Sequence, residues 1–162
     1  RELAGAIPVI MSAYTLSYQK PGVIFFEGKD ALNRIINDTL TAKTEILQIV
    51  DIEAVMRWYK DSSARVANRR KELGIVKKML IADSAVARQY AATQEPAGTQ
   101  IRFIKQKLPE FNVVMQIYNN KISYLTLKPQ GMLGVIIEDP LITQMQKSFF
   151  TLIWDQVQTN TD

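Results

Sequence analysis

The sequence predicts an α/β domain, a mixed β-sheet flanked by helices on both faces. Three observations lead there. Between residues 23 and 104, short apolar runs alternate with segments whose apolar residues recur every three or four positions, the mark of alternating strands and helices. Between residues 113 and 137, three apolar runs follow one another with breaks too short to hold a helix, which predicts a β meander. Hydrophobic residues make up 47% of the 162, enough to bury the core of one domain.

Residues 2–19 read as a helix, because Leu3, Ile7, Ile10, Met11 and Tyr14 fall on one stripe. Pro8 begins or kinks it, and Lys20-Pro21-Gly22 ends it. A helix set apart in this way cannot bury its own stripe. A second copy of the chain, or the C-terminal helix, would cover it, and a homodimer through these five residues is the favoured reading.

Val23 to Phe26 is a continuous apolar run of the kind seen in strands covered on both faces. Asp30 can cap the next helix, which carries Leu32, Ile35, Ile36 and Leu40 on one side. Ile46 to Ile52 is the second strand, interrupted by Asp51. Glu53 to Leu73 holds one or two helices with Val55, Met56, Tyr59 and Val66 inward, and Gly74 sits at the position just past a helix end. Ile75 to Ala82 is the third strand. Asp83 or Ser84 caps a helix bearing Val86, Ala87, Tyr90 and Ala91.

After a loop at residues 95–98, Ile101 to Ile104 is the fourth strand. The meander comprises Val113 to Tyr118, Lys121 to Leu127 and Leu133 to Ile137, with a tight hairpin at Asn119-Asn120 because asparagine tolerates positive φ. Asp139 caps the last helix and Pro140 takes its first position. Leu141, Ile142, Met145, Phe149, Leu152, Ile153 and Trp154 give that helix a heavily apolar face. The organisation expected is a lead-in helix at 1–20, an α/β domain at 21–157 and a polar tail at 158–162. A chain opening on Arg1 rather than Met is expected to be a fragment or a processed product.

The chain has no histidine and no cysteine. That removes the Ser-His-Asp triad, the Cys-His pair, a phosphohistidine intermediate and the usual zinc ligands. Carboxylate, lysine or tyrosine chemistry remains open, but the balance moves toward binding. The absence of cysteine fits a cytoplasmic protein. No apolar run is long enough to cross a bilayer.

No glycine-rich phosphate loop, nucleophile elbow or S-x-x-K occurs. Carboxylates stand near predicted strand ends: Glu27, Asp51 with Glu53, and Asp83. Ligands of open α/β sheets gather beyond those ends, so Glu27, Asp51, Asp83 and Asn112 are the candidate ligand-binding set, with Arg102 and Asn119 as further donors. The plainer reading is that Asp51 and Asp83 cap helices. Were two or more of Glu27, Asp51, Glu53 and Asp83 to converge, a carboxylate- or metal-dependent enzyme would be the alternative. Net charge is +4, from 20 basic and 16 acidic residues. Arg65, Arg69, Arg70, Lys71, Lys77 and Lys78 form the densest basic cluster, either a solvated surface or a nucleic-acid contact. Trp58 and Tyr59 are neighbours, so one is expected to point outward.

Several segments together resemble the C-terminal region of TrmB-like transcriptional regulators. They are Lys20-Pro-Gly-Val-Ile-Phe-Phe-Glu-Gly28, Asn37-Asp-Thr-Leu40, Asn68-Arg-Arg-Lys-Glu-Leu-Gly-Ile75, Ile117-Tyr-Asn-Asn-Lys-Ile122 and Phe149-Phe-Thr-Leu-Ile-Trp154. The lead-in from Glu2 to Tyr14 looks like the linker helix of such proteins. The resemblance implies a phospholipase D-like fold downstream of a winged-helix DNA-binding domain, serving dimerisation and effector sensing. In enzymes of that fold the signature is H-x-K-x-x-x-x-D. It falls here on Asn112, Val114 and Asn119, so all three catalytic identities are replaced. What the resemblance implies is a non-catalytic regulatory domain without cofactor or metal. It would reach DNA only through the upstream domain; a small, sugar-like effector is a further open reading that the resemblance does not itself carry.

Overall fold

The computed structural model describes residues 22–94 and 98–158. The predicted lead-in helix with Leu3, Ile7, Ile10, Met11 and Tyr14, the break at Lys20-Pro21, and residues 159–162 lie outside them.

Seven strands form one sheet in the order β1-β7-β6-β5-β2-β3-β4. They are β1 (Val23–Glu27), β2 (Ile46–Val50), β3 (Lys77–Ala82), β4 (Thr99–Ile104), β5 (Val113–Tyr118), β6 (Lys121–Thr126) and β7 (Leu133–Glu138). β2, β3 and β4 run parallel, joined by helical crossovers. β5, β6 and β7 form the antiparallel meander, and β1 adds to β7 antiparallel. The predicted mixed sheet is present.

Helices α1 (Lys29–Thr39), α2 (Ile52–Trp58), α3 (Lys60–Glu72) and α4 (Ala85–Gln94) lie on one face, and α5 (Pro140–Gln158) on the other. The first face buries Ala31 and Ile35 of α1, Ala54 of α2, and Ala87 and Tyr90 of α4 against Val50, Met79, Ile81, Leu125 and Ile136. Opposite, Phe150 and Trp154 of α5 stack at 5.8 Å and pack on Leu47, Leu80, Ile117 and Ile122.

Local sequence sets the helix ends. Asp139 Oδ1 accepts from the N–H groups of Leu141 and Ile142, and Pro140 costs no hydrogen bond at the first helical position. Gly74, at φ 68°, closes α3: its N–H donates to the Lys71 carbonyl and that of Ile75 to the Arg70 carbonyl. α1 departs from expectation. Gly28, at φ 71° and ψ −158°, stands at its cap position, and Asp30 lies in the first turn paired with Arg34. Of Asp83 and Ser84, Ser84 caps α4, through the Ala87 N–H.

Two burial expectations are corrected. β1 is an edge strand rather than one covered on both faces, with Ile24 54% and Phe25 60% exposed. Among the described residues its only strand neighbour is β7 and only α1 reaches it from the faces, while α5 packs over β4, β5 and β6. On α5, Leu141, Ile142, Met145, Phe149, Leu152 and Ile153 are exposed, because the helix turns the Phe150–Trp154 stripe to the sheet. Trp58 and Tyr59 are both half-buried against one core. The chain leaves helical geometry at Tyr59 (φ −133°, ψ 21°), which lets adjacent side chains turn the same way.

Candidate functional site

The strand directions place the C-terminal ends of β1, β2, β3 and β4 at one end of the sheet. Asp51 and Asn112 meet there. Asp51 Oδ1 accepts from the Ala54 N–H at 3.2 Å, capping α2, and Oδ2 accepts from the Asn112 N–H at 3.0 Å. Asn112 sits at φ 50°, and its carbonyl accepts from the Leu127 N–H. Asp51 and Glu53 also line a cleft of about 200 Å³ with Ser84, Glu110 and the apolar Ile49, Leu80 and Ile104.

The other two predicted ligand residues lie elsewhere. Asp83 is held by Arg88 through two bonds, at 2.7 and 2.8 Å, and that guanidinium holds its carboxyl below the usual range. Glu27 ends β1, four strand spacings from β2, or about 19 Å. The set therefore divides into one joined pair and two separate carboxylates. Among the described residues, no three metal-binding side chains gather around one point.

The basic cluster divides as well. Arg65, Arg69 and Lys71 face solvent on α3, whereas Arg70 is 2% exposed and donates to the Ile75 carbonyl and Thr99 Oγ1. Lys77 and Lys78, being consecutive on a strand, point to opposite faces. Lys78 pairs with Glu45 at 3.4 Å on the α5 face. No single basic surface results.

What sequence reasoning missed is a polar layer inside the α1 face. The register sets Gln48 of β2 opposite Gln116 of β5, and Gln116 opposite Ser123 of β6. Lys77 Nζ donates to Gln48 Oε1 at 2.8 Å, Gln116 Nε2 to the same oxygen at 3.3 Å, and Thr39 Oγ1 to Gln116 Oε1 at 2.9 Å. Burial, and then the Arg70 charge, push the Lys77 ammonium down to about 7. A cavity of about 100 Å³ opens above this layer, between α1 and α3. The signal was present: Gln48 and Gln116 each interrupt an otherwise apolar strand, as does Ser123 in Lys121–Thr126. Only the pairing register shows that they adjoin.

Asn112, Val114 and Asn119, on which the resemblance puts the H-x-K-x-x-x-x-D signature, have structural roles. Asn112 is tied to Asp51, and Val114 packs in the core. Asn119, at φ 51° in the hairpin, accepts at Oδ1 from the Lys43 N–H and donates its own N–H to Thr44 Oγ1.

No protein-family model matches this chain, and no curated protein matches it in sequence. Solved structures do. TrmBL2, an archaeal chromatin protein with a novel mode of DNA binding, superposes with a TM-score of 0.56 at 16% identity, over 96% of this chain and 60% of its own. This chain thus spans 60% of that protein's length. NucT from Helicobacter pylori gives 0.61 at 13% identity, over 82% of this chain and 95% of its own. Nuc from Salmonella typhimurium, a phospholipase D family member, gives 0.61 at 13%, over 83% and 94%. Likeness at these identities is likeness of architecture. The chain is a phospholipase D-like α/β domain, the fold it shares with TrmBL2 and the Nuc proteins.

Proposed function

We propose that this chain is the non-catalytic regulatory domain of a TrmB-like transcriptional regulator, which dimerises, senses a small effector and passes the signal to an upstream winged-helix domain. One observation carries the reading. The resemblance puts the reactive positions of the hydrolases of this fold on Asn112, Val114 and Asn119, none of which is a histidine, lysine or aspartate; the Asn112 backbone is held by Asp51, Val114 packs on the core and Asn119 belongs to the hairpin. Without a nucleophile there, phosphodiester cleavage by that route has no first step. Fold alone assigns no activity, so the argument rests on those positions.

The regulatory half is supported by the superposition on TrmBL2 over nearly the whole chain and by the apolar surface α5 leaves open. A second copy of the chain would cover such a surface. An effector favouring one arrangement of two copies would shift the geometry delivered to DNA, and DNA contact would come from the upstream domain alone. A cytoplasmic location follows from that role.

Two measurements test this. Incubation with bis(p-nitrophenyl) phosphate should release no nitrophenolate above a buffer control; turnover lost on Asp51→Asn would end the non-catalytic reading. Light scattering on the eluted protein should give twice the chain mass, and a strict monomer would end the dimer.

A further inference from the structure

The cavity between α1 and α3 exists because α3 offers small side chains toward the sheet. Ser62, Ser63 and Ala67 line it where a packed helix would place leucines. Its walls are otherwise apolar, with Leu32 and Ile36 from α1, Val55 from α2 and Val66 from α3. Its polar groups are Lys77, Gln48, Gln116, the Tyr59 hydroxyl, Tyr90 and the Ser62 and Ser63 hydroxyls, and Ser63 is hydrogen-bonded to Tyr90.

Two of those groups, Lys77 and Tyr59, are not fully matched. An ammonium carries three N–H donors, and the Lys77 bond to Gln48 uses one. Among the described residues no carboxylate pairs with Lys77; the carboxylates that form ion pairs, Asp30, Asp38, Glu45, Glu72 and Asp83, meet other cations. The charge nearest to it in effect is Arg70, which has the same sign. The Tyr59 hydroxyl is buried without a hydrogen-bond partner. A desolvated cation and an unused donor lining one cavity are each costly, and an anion there relieves both deficits.

We propose that this cavity binds a short aliphatic monocarboxylate, whose carboxylate accepts from Lys77 and Tyr59 and whose chain lies among Leu32, Ile36, Val55 and Val66. This rests on the effector-sensing reading and names its ligand class. Size limits the ligand. An apolar cavity of about 150 Å³ accommodates the six carbons of benzene, so about 100 Å³ suits about four or five non-hydrogen atoms, the size of acetate or propionate. A hexose, with about twelve non-hydrogen atoms, exceeds that volume.

The groups facing Lys77 fix the pH behaviour. They are Arg70 from α3, Tyr59 and Tyr90 beside the cavity, and the neutral Gln48 and Gln116. Burial lowers Arg70 and raises both tyrosines. Lys77 is therefore the group that changes charge near neutrality, and binding above pH 7 draws a proton onto it.

Isothermal titration of the purified chain with sodium propionate, at about pH 6 and about pH 9, tests the site on either side of the Lys77 transition. One-to-one saturable binding is expected, weaker at the higher pH, with proton uptake visible as a buffer-dependent heat. 1-Propanol and inorganic phosphate are the controls, each lacking one half of the recognition. Lys77→Met should weaken propionate about tenfold or more, and Tyr59→Phe should weaken it by less. No saturable propionate binding, binding untouched by Lys77→Met, or equal binding of propanol would overturn the proposal. Circular dichroism on both variants confirms that each is folded. Failure here with an intact dimer refutes this site alone; binding that leaves the association of the two copies unchanged refutes the effector reading and keeps the site.

Discussion

The carboxylate of Asp51 accepts from the backbone of Asn112 at 3.0 Å, tying the residue before β5 to the cap of α2. One side chain satisfies two backbone donors belonging to elements far apart in sequence. Asp51→Ala leaves both unpaired, and an expected loss of about 1–3 kcal/mol follows from the cap and the buried donor together. Asp51→Asn should lose less, since its carbonyl oxygen still accepts one bond. Urea unfolding monitored by far-UV circular dichroism measures both; a change for Asp51→Ala within about 0.5 kcal/mol would refute the account.

Lys77 should cost the fold stability at neutral pH. Its folded-state pKa, about 7, lies below the ordinary 10.5, so between those values the unfolded chain holds one more proton. Stability attributable to this residue thus rises with pH across that window, and below about 7 its cost is fully present. Lys77→Met is expected to raise the melting temperature at pH 7 and to raise it progressively less toward pH 10. A gain that stays constant across the window would contradict the burial of the ammonium.

Gly134 lets α1 approach β7. A Cβ built there would stand 3.0 Å from Ile35 and 3.4 Å from Ala31. Gly134→Val should therefore destabilise by about 1–3 kcal/mol through overpacking. Ile35→Ala in the same chain should recover part of that loss, giving a non-additive double-mutant cycle. Strict additivity would show that the contact is slack.

The open face of α5 makes a separate prediction. Met145→Glu with Leu152→Glu replaces two residues that are 62% exposed, so the fold itself should change by no more than about 0.5 kcal/mol per site. Light scattering should show the doubled mass falling to that of one chain. An unchanged mass would place the contact between copies elsewhere.

Much of the fold was legible because its signals are local. Asp139-Pro140 opened a helix and Gly74 closed one where expected, since caps depend on a few consecutive residues. The strand runs appeared as predicted apart from one or two residues at their ends. Asp51 could be read as a cap, but nothing in its neighbourhood announces Asn112, sixty-one residues away. Asp83 looked like a pocket residue until Arg88, five positions on, closed over it.

The amino-acid order alone settled the succession of the seven strands, the mixed character of the sheet and the lack of any imidazole or thiol chemistry. Tertiary structure decided that β1 stands at an edge, that Lys77 and Lys78 serve opposite faces, and that Gln48, Gln116 and Lys77 share one interior layer. Periodicity states which side of a strand is apolar, but strand order and register come from burying every element at once. A lysine in an apolar strand is therefore silent about its surroundings until its neighbours across the sheet are known.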